Sequence, residues 1–294
     1  MNTKPEPAPV MAAHGRRGLL RTGDALEPYI VQGRRLRVVC GDLVHWRRQV
    51  DSTDVVVTSA EPRRNSLARW HERRQRAETI AANIDCIAVV VATIPAIDFG
   101  LLDRFLCAAE LMQCRALLVW NKSDLAEPDR GVTDVYGELG YPVVAVSALH
   151  RTSITGLLEH MSGSSSALVG QSGVGKSSLI NAVVPDSGRT VGELSPGNDG
   201  GIHTTTAVTM HEIPGAAGFL LDTPGVRSFL PAIDPQWRIG DGFPEIRALA
   251  TGCRFADCLH DREPGCEVTA AVATRRVAPH RYASYRQIAR SAQR

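Results

Sequence analysis

The stretch GQSGVGKSSLIN, Gly170 to Asn181, decides how the rest of the chain is read. It fits G-x-x-x-x-G-K-S, with an apolar run, Ala167 to Val169, before it as a buried strand and a helix, Lys176 to Val184, opening behind it. In that context glycines let backbone N–H groups wrap a polyphosphate, and the positive end of the helix faces it. Gly170, Gln171, Ser172, Gly173, Val174, Gly175, Lys176, Ser177 and Ser178 are therefore the expected phosphate-binding residues. Lys176 is expected to meet the β- and γ-phosphates, as a catalytic residue, and Ser177 to ligate Mg²⁺. Such a loop usually begins a nucleotide-binding domain, yet here it sits past the middle of the chain.

Three other segments belong with it. Asp222-Thr223-Pro224-Gly225 ends the apolar strand Phe219 to Leu221, which places Asp222 to hold Mg²⁺ through water and the Gly225 N–H to contact a γ-phosphate. Asn121-Lys122-Ser123-Asp124 follows another buried strand, Ala116 to Trp120. Asp124 can accept hydrogen bonds from guanine N1–H and the 2-amino group, a donor pair adenine lacks, while Lys122 lays its stem over the base. An unpaired buried carboxylate would disfavour ATP on the order of 10⁴-fold. Ser147-Ala148, after Val143 to Val146, is the matching short segment that touches the base. Together the four segments make a GTP site.

Their order explains the late loop. GTPases of the Ras-like type run phosphate loop, switch Thr, Asp-x-x-Gly, Asn-Lys-x-Asp, Ser-Ala, and here the last two come first. The chain resembles a circularly permuted GTPase, with SGSSS, Ser162 to Ser166, as the extra, flexible link and the new break after Gly225. A switch that responds to the γ-phosphate then feeds directly into the C-terminal domain. The strands Ile87 to Val91, Ala116 to Trp120, Val143 to Val146, Ala167 to Val169, Ala207 to Met210 and Phe219 to Leu221 predict a layered α/β domain over residues 67–231. Between Pro185 and Met210 a Gly-rich polar stretch predicts a switch loop in which either Thr204 or Thr205 contacts Mg²⁺ and the γ-phosphate. Val226 stands where Ras-like enzymes place a water-orienting Gln, so intrinsic hydrolysis is expected to be slow, and His203 is the candidate for positioning water.

Outside that domain the texture differs. Residues 1–17 read as a disordered, Pro-rich tail. Residues 18–66 read as a small β-barrel, with strands at Leu36 to Cys40, Leu43 to Trp46 and Asp54 to Thr58. Arg34, Arg35, Arg37, Arg47 and Arg48, with Trp46 and Tyr29 nearby, are the composition of an oligonucleotide-binding (OB-fold) barrel. Residues 232–294 carry Cys253-x4-Cys258-x-His260-x5-Cys266, three thiolates and an imidazole suited to one structural, tetrahedral Zn²⁺, and end in a basic helix, Pro279 to Arg294. Cys86, Cys107 and Cys114 fall in apolar stretches and are expected to pack in the core.

Charge follows the same partition. Residues 1–80 hold 15 Lys plus Arg against 9 Asp plus Glu, residues 81–231 hold 8 against 15, and residues 232–294 hold 10 against 7. Basic flanks around an acidic centre fit a protein that offers its ends to a polyanion such as RNA. Lysine occurs three times, and two of the three, Lys122 and Lys176, lie inside the nucleotide motifs, where a compact ammonium is needed rather than a planar fork. No apolar run is long enough to span a bilayer and Met1 to Val10 is too polar for a secretory signal, so a cytoplasmic, monomeric protein is expected.

With GDLVHW, EPRRNSLAR leading into IAANIDCIAVVVA, NKSD, GQSGVGKSSLIN, HTTT, DTPG and the Cys-Cys-His-Cys cluster, the chain resembles the small ribosomal subunit biogenesis GTPases, the RsgA or YjeQ family, from Gly18 to its end. The resemblance implies a barrel, a permuted GTPase domain and a zinc domain that bind the maturing small subunit near its decoding region through ribosomal RNA. It implies GTP hydrolysis stimulated by that subunit and accompanying release. It also implies GTP contacts at Asn121 to Asp124 and Gly170 to Ser178, and zinc on Cys253, Cys258, His260 and Cys266. Ile202 is a departure, since family members often carry Arg before the switch His. The rival readings are a permuted GTPase of the large subunit and an rRNA-binding scaffold in which GTP is a structural ligand.

Overall fold

The computed structural model describes residues 5–49, 54–71, 76–185, 208–223, 229, 232 and 238–292. β1 (Ala8–His14), β2 (Arg17–Thr22), β3 (Ala25–Val31), β4 (Leu43–Arg48) and β5 (Val55–Ala60) run in the order β1-β2-β3-β5-β4. β1 also pairs with β4, which closes the barrel in the OB-fold manner. Val10, Leu20, Tyr29, Val31, Val44 and Val57 alternate inward to fill it. Closure depends on Gly18, because a Cβ there would lie 1.9 Å from the Ala12 carbonyl and 2.7 Å from the Tyr29 hydroxyl.

Three expectations are corrected here. The tail of residues 1–17 is a strand from Ala8 onward: its prolines signal disorder, but Val10, Met11 and Ala12 are an apolar run that pairs with three strands, β2, β4 and β12 (Thr209–Glu212). Leu36 to Cys40 is irregular apart from a bridge from Cys40 to Ala81, so Arg34, Arg35 and Arg37 sit exposed on a loop, not on a strand. Tyr29 is buried in the barrel core and offers no stacking surface, whereas Trp46 is half-exposed with the Arg48 guanidinium 5.6 Å from its ring.

A hairpin of β6 (Ser66–His71) and β7 (Arg76–Ala82), unforeseen from the sequence, leads into the second layer. There β8 (Cys86–Val91), β9 (Arg115–Trp120), β10 (Val143–Ala145), β11 (Ser165–Gly170) and β13 (Phe219–Asp222) are parallel in the order β10-β9-β8-β11-β13, and β12 adds an antiparallel edge. The run of apolar residues in β8 reflects burial on both faces. Ile87, Val89 and Val91 pack with Phe105 and Leu106 of α1 (Phe99–Leu111) and with Val132 and Tyr136 of α2 (Arg130–Glu138). Cys86, Ala88 and Val90 pack with Leu157 and Met161 of α3 (Thr155–Met161) and with Leu179, Ile180 and Val183 of α4 (Lys176–Val183). Burial pushes the Cys86 thiol up to about 11, as expected of a packing cysteine. SGSSS is also corrected: only Ser162 to Ser164 form the turn, and Ser165 and Ser166 belong to β11, with Ser166 fully buried.

Barrel and sheet are joined. Ala12 of β1 pairs with Thr209 of β12, while Met11 and Leu19 share a hydrophobic cluster with Val208 and Met210. Arg63 grips the fully buried Asp42 carboxylate with Nε at 2.7 Å and Nη2 at 2.9 Å, and Arg64 donates to Asp85 at 2.7 Å. These two arginines of EPRRNSLAR thus serve the joint between the domains. C-terminally, a 3₁₀ turn at Ile239–Gly242 precedes α5 (Pro244–Ala250), α6 (Glu267–Ala273) and α7 (Pro279–Ala292). Phe243, Ile246, Val268, Tyr285 and Ile288 form their core with Cys107 of α1. Among the described residues no helix is long and apolar enough to cross a membrane.

Candidate functional site

The C-terminal ends of β8, β9, β10, β11 and β13 lie along one edge of the sheet, the edge where open α/β sheets bind ligands. β11 delivers the phosphate loop there. Gly170 has φ +140°, and a Cβ would lie 2.4 Å from the Val90 carbonyl; Gly175, the N-cap of α4, has φ +93°. Both positions need glycine, one for close packing on β8 and one for a left-handed turn that points the first N–H groups of α4 into the loop. Lys176 Nζ donates to the Gly170 and Gln171 carbonyls at 2.8 Å each, which curls the ammonium over the loop. Ser172, Ser177 and Ser178 are exposed, and Val174 is buried as the loop's anchor.

The structure brings the segments separated in sequence onto this loop. Asn121 Nδ2 donates to the Val174 carbonyl at 2.8 Å, and Lys122 Nζ donates to the Gly173 carbonyl at 2.7 Å and the Ile94 carbonyl at 2.8 Å. Lys122 sits at φ +62°, a strained setting for a non-glycine residue that these contacts hold in place. Asn121 Oδ1 is buried without a protein partner, an acceptor left for a ligand or its water. Asp124 caps no helix, since α2 begins at Arg130 with Asp129 as its cap. Its carboxylate is exposed, and the Ser147 hydroxyl holds its pKa below the ordinary value. Ser147 is buried and Ala148 half-buried behind it. Ser153, which sequence reasoning missed, braces that segment: its Oγ accepts from the Ser147 N–H at 2.8 Å and donates to the Ser147 carbonyl at 3.0 Å.

Asp222 closes the arrangement from β13. Burial raises its carboxyl pKa and the facing Lys176 pulls it back; burial likewise lowers the Lys176 ammonium against the pull of Asp222. The two charges therefore share one partly dehydrated space. A carboxylate there beside Ser177 fits the donor set of a hard, oxygen-ligated cation. Thr223, read from sequence only as part of a turn, is buried and donates to the Leu168 carbonyl at 2.8 Å, locking the strand end to β11. Thr204, Thr205, His203, Gly225, Ile202 and Val226 lie outside the described residues.

A second centre stands in the C-terminal domain. The ligand atoms of Cys253, Cys258, His260 and Cys266 all lie within 4.8 Å of one another. Cys253 Sγ is 3.5 Å from His260 Nδ1 and 3.9 Å from Cys266 Sγ, and Cys266 Sγ is 3.6 Å from His260 Nδ1. Tetrahedral zinc with ordinary bond lengths requires about 3.8 Å between sulfurs and about 3.5 Å between sulfur and nitrogen. The residues fit the metal, with four protein ligands and no open position. The second layer is in place as well: Tyr282 Oη donates to the His260 carbonyl at 2.6 Å, and the Glu263 carboxylate accepts from the Leu259, Asp261 and Arg262 N–H groups.

Comparison with known proteins agrees with this geometry. A family model described as RsgA GTPase matches residues 60–230. Proteins of Pseudomonas putida and Pseudomonas aeruginosa, each named small ribosomal subunit biogenesis GTPase RsgA, are 42% identical over 256 residues, covering 85% of this chain and 74% and 75% of theirs. The crystal structure of YjeQ from Thermotoga maritima superposes with a TM-score of 0.74 at 27% identity over 98% of each chain. The crystal structure of YloQ, described as a circularly permuted GTPase, shares the fold with a TM-score of 0.71 at 24% identity, over 99% of this chain and 96% of that one. With the phosphate loop late in the chain, the guanine-type segments ahead of it and all of them meeting at one sheet edge, this chain belongs to the RsgA GTPase family.

Proposed function

We propose that this GTPase acts on the maturing small ribosomal subunit, that the subunit stimulates its hydrolysis of GTP, and that the barrel and zinc-binding domain hold ribosomal RNA. The observation that carries the nucleotide half is the pair of contacts from Asn121 and Lys122 to the phosphate loop at 2.8 and 2.7 Å, which puts the base-reading and phosphate-reading residues in one pocket. The subunit half is supported by the names of the Pseudomonas relatives. In this reading Asn121 to Asp124, Ser147 and Ala148 hold guanine, and Gly170 to Ser178 hold the phosphates. Mg²⁺ on Ser177 and Asp222 supplies charge neutralisation between the phosphate groups. His203 orients the water that attacks the γ-phosphorus in line, the bond to the β,γ-bridging oxygen breaks, and Lys176 stabilises charge on the departing GDP. Gly225 and one of Thr204 and Thr205 contact the γ-phosphate. Residues 67–231 are the GTPase domain and 232–294 the zinc-binding domain of a cytoplasmic monomer.

The test is GTP turnover with and without purified small and large subunits. Stimulation by the small subunit alone is expected, and its absence refutes the ribosomal half. Ser177→Ala separates enzyme from scaffold: cells that complete small-subunit assembly normally with this variant would favour the scaffold.

A further inference from the structure

Helix α1 touches three parts of the molecule that are distant in sequence. At its start, Asp98 caps the helix by accepting from the Leu101 N–H at 2.9 Å, and its own N–H donates to Gln171 Oε1 of the phosphate loop at 3.2 Å. A turn further on, Arg104 donates to the Phe229 carbonyl at 3.2 Å and Phe105 stacks on the Phe229 ring at 4.5 Å, so the chain that follows the Asp222 segment is also seated on α1. On the same helix Asp103, fully buried, accepts from Arg281 Nη1 of α7 at 2.7 Å and from the Tyr136 hydroxyl at 2.8 Å.

Arg281 is itself 0% exposed. Its remaining nitrogens donate to the Glu245 carboxylate of α5 at 2.8 and 3.1 Å, and its guanidinium lies 4.6 Å from the Phe243 ring and 5.6 Å from the Tyr136 ring. One planar side chain from the C-terminal domain therefore threads between that domain and the helix that reaches the nucleotide loop. A buried ion triad adds little net stability over an apolar filling, but its directional bonds admit few arrangements, so its effect falls on geometry.

We propose that Arg281 is a positioning residue for nucleotide binding: docked on Asp103 and Glu245 it fixes α1, and α1 holds the phosphate loop through Asp98 and Gln171. The inference rests on reading Gly170 to Ser178 as the phosphate site. It supplies a route between the zinc-binding domain and the nucleotide that does not pass through the switch segments. By linkage, whatever strains the seat of the C-terminal domain on α1 changes nucleotide affinity, and nucleotide changes that seat by the same factor.

The test is a double-mutant cycle on the full chain, read as affinity for a fluorescent GDP analogue, with zinc content and melting temperature measured alongside. Arg281→Met is expected to weaken GDP at least fivefold while one zinc per chain is retained. Gln171→Ala is expected to weaken it about threefold, and the double variant to bind within twofold of the weaker single one, because both cut one route. Two results overturn the proposal: a folded, zinc-loaded Arg281→Met that binds GDP within twofold of the wild type, or effects that multiply in the double variant. Should Arg281→Met not fold, Asp103→Asn takes its place in the same cycle with the same expectations of sign and non-additivity. A wild-type chain that does not bind GDP overturns the nucleotide reading itself, and this inference with it.

Discussion

Two glycines of the phosphate loop allow backbone strain to be separated from steric collision. Gly173 and Gly175 both have left-handed backbones, at φ +86° and +93°. A Cβ at Gly173 would meet nothing nearer than the Pro95 ring at 3.7 Å, which is ordinary contact. Gly173→Ala therefore carries only the left-handed penalty for an L-residue, about 1–2 kcal/mol. A Cβ at Gly175 would lie 2.4 Å from Asn121 Nδ2, so the amide has to turn away from the Val174 carbonyl and leave a buried group unsatisfied. That adds about 1–3 kcal/mol, for a total of about 2–5 kcal/mol. An exposed loop can escape this strain without unfolding the sheet, and nucleotide must then restore the binding-competent shape at the cost of affinity. At 1.4 kcal/mol per decade, Gly173→Ala should weaken GDP by about 5- to 30-fold and Gly175→Ala by between about 30-fold and several thousand-fold. Titration calorimetry at fixed Mg²⁺ gives both values, and melting curves of the free proteins show how much strain stays in the fold. The reasoning is refuted if Gly175→Ala binds GDP no more weakly than Gly173→Ala.

Asp124→Asn should cost about three orders of magnitude in GTP affinity and shift preference toward xanthine nucleotides, whose 2-oxo group matches the amide donor; competition binding with GDP and XDP measures it, and an unchanged guanine preference would remove Asp124 from the base site. Metal analysis should find one zinc per chain, and stripping it with a zinc-selective chelator should lower the helical signal and the melting temperature, because the free energy of a structural zinc site is folding free energy; a stripped protein that melts within a degree of the loaded one contradicts the structural role. Gly18→Ala forces a methyl to within 1.9 Å of the Ala12 carbonyl. Such overpacking costs about 3 kcal/mol, so the melting temperature should fall by roughly 5–10 °C, read by scanning calorimetry.

How far the sequence could be read depended on where the information lay. The six sheet strands were legible because burial on both faces leaves apolar runs, as in Cys86 to Val91. The nucleotide segments were legible because each carries a residue type its chemistry requires at a strand end. β1 was not, since a strand whose partners, β2, β4 and β12, come from both domains owes its existence to long-range pairing, and Pro5, Pro7 and Pro9 pointed the other way. Ser153 and Thr223 were invisible for a similar reason: a hydroxyl that braces a neighbouring backbone has no spacing rule. Arg63 and Arg64 show the limit of charge counting, because two cations that raised the basic balance of the N-terminal region are occupied by Asp42 and Asp85.

Permutation leaves the site intact for a geometric reason. The nucleotide residues sit at the C-terminal ends of parallel strands, and their positions are set by the lateral order β10-β9-β8-β11-β13, which the chain can follow in any connection that preserves it. The added link lies at the opposite edge. There Ser162 to Ser164 turn out of α3, the Phe219 N–H donates to the Ser164 carbonyl at 2.9 Å, and Arg115 donates to the His160 carbonyl at 3.1 Å. The join is thus a hydrogen-bonded turn at the N-terminal ends of β11 and β13, the far end of those strands from the phosphate loop. What permutation alters is the exit from β13, which no longer returns to the sheet as a further strand. The next described residue, Phe229, is instead packed on α1, the helix that also carries Asp103 and Cys107 against the C-terminal domain. A GTPase core connected in this way has its second domain seated on its own helix, so nucleotide and zinc-binding domain share one element of structure without any rearrangement of the pocket.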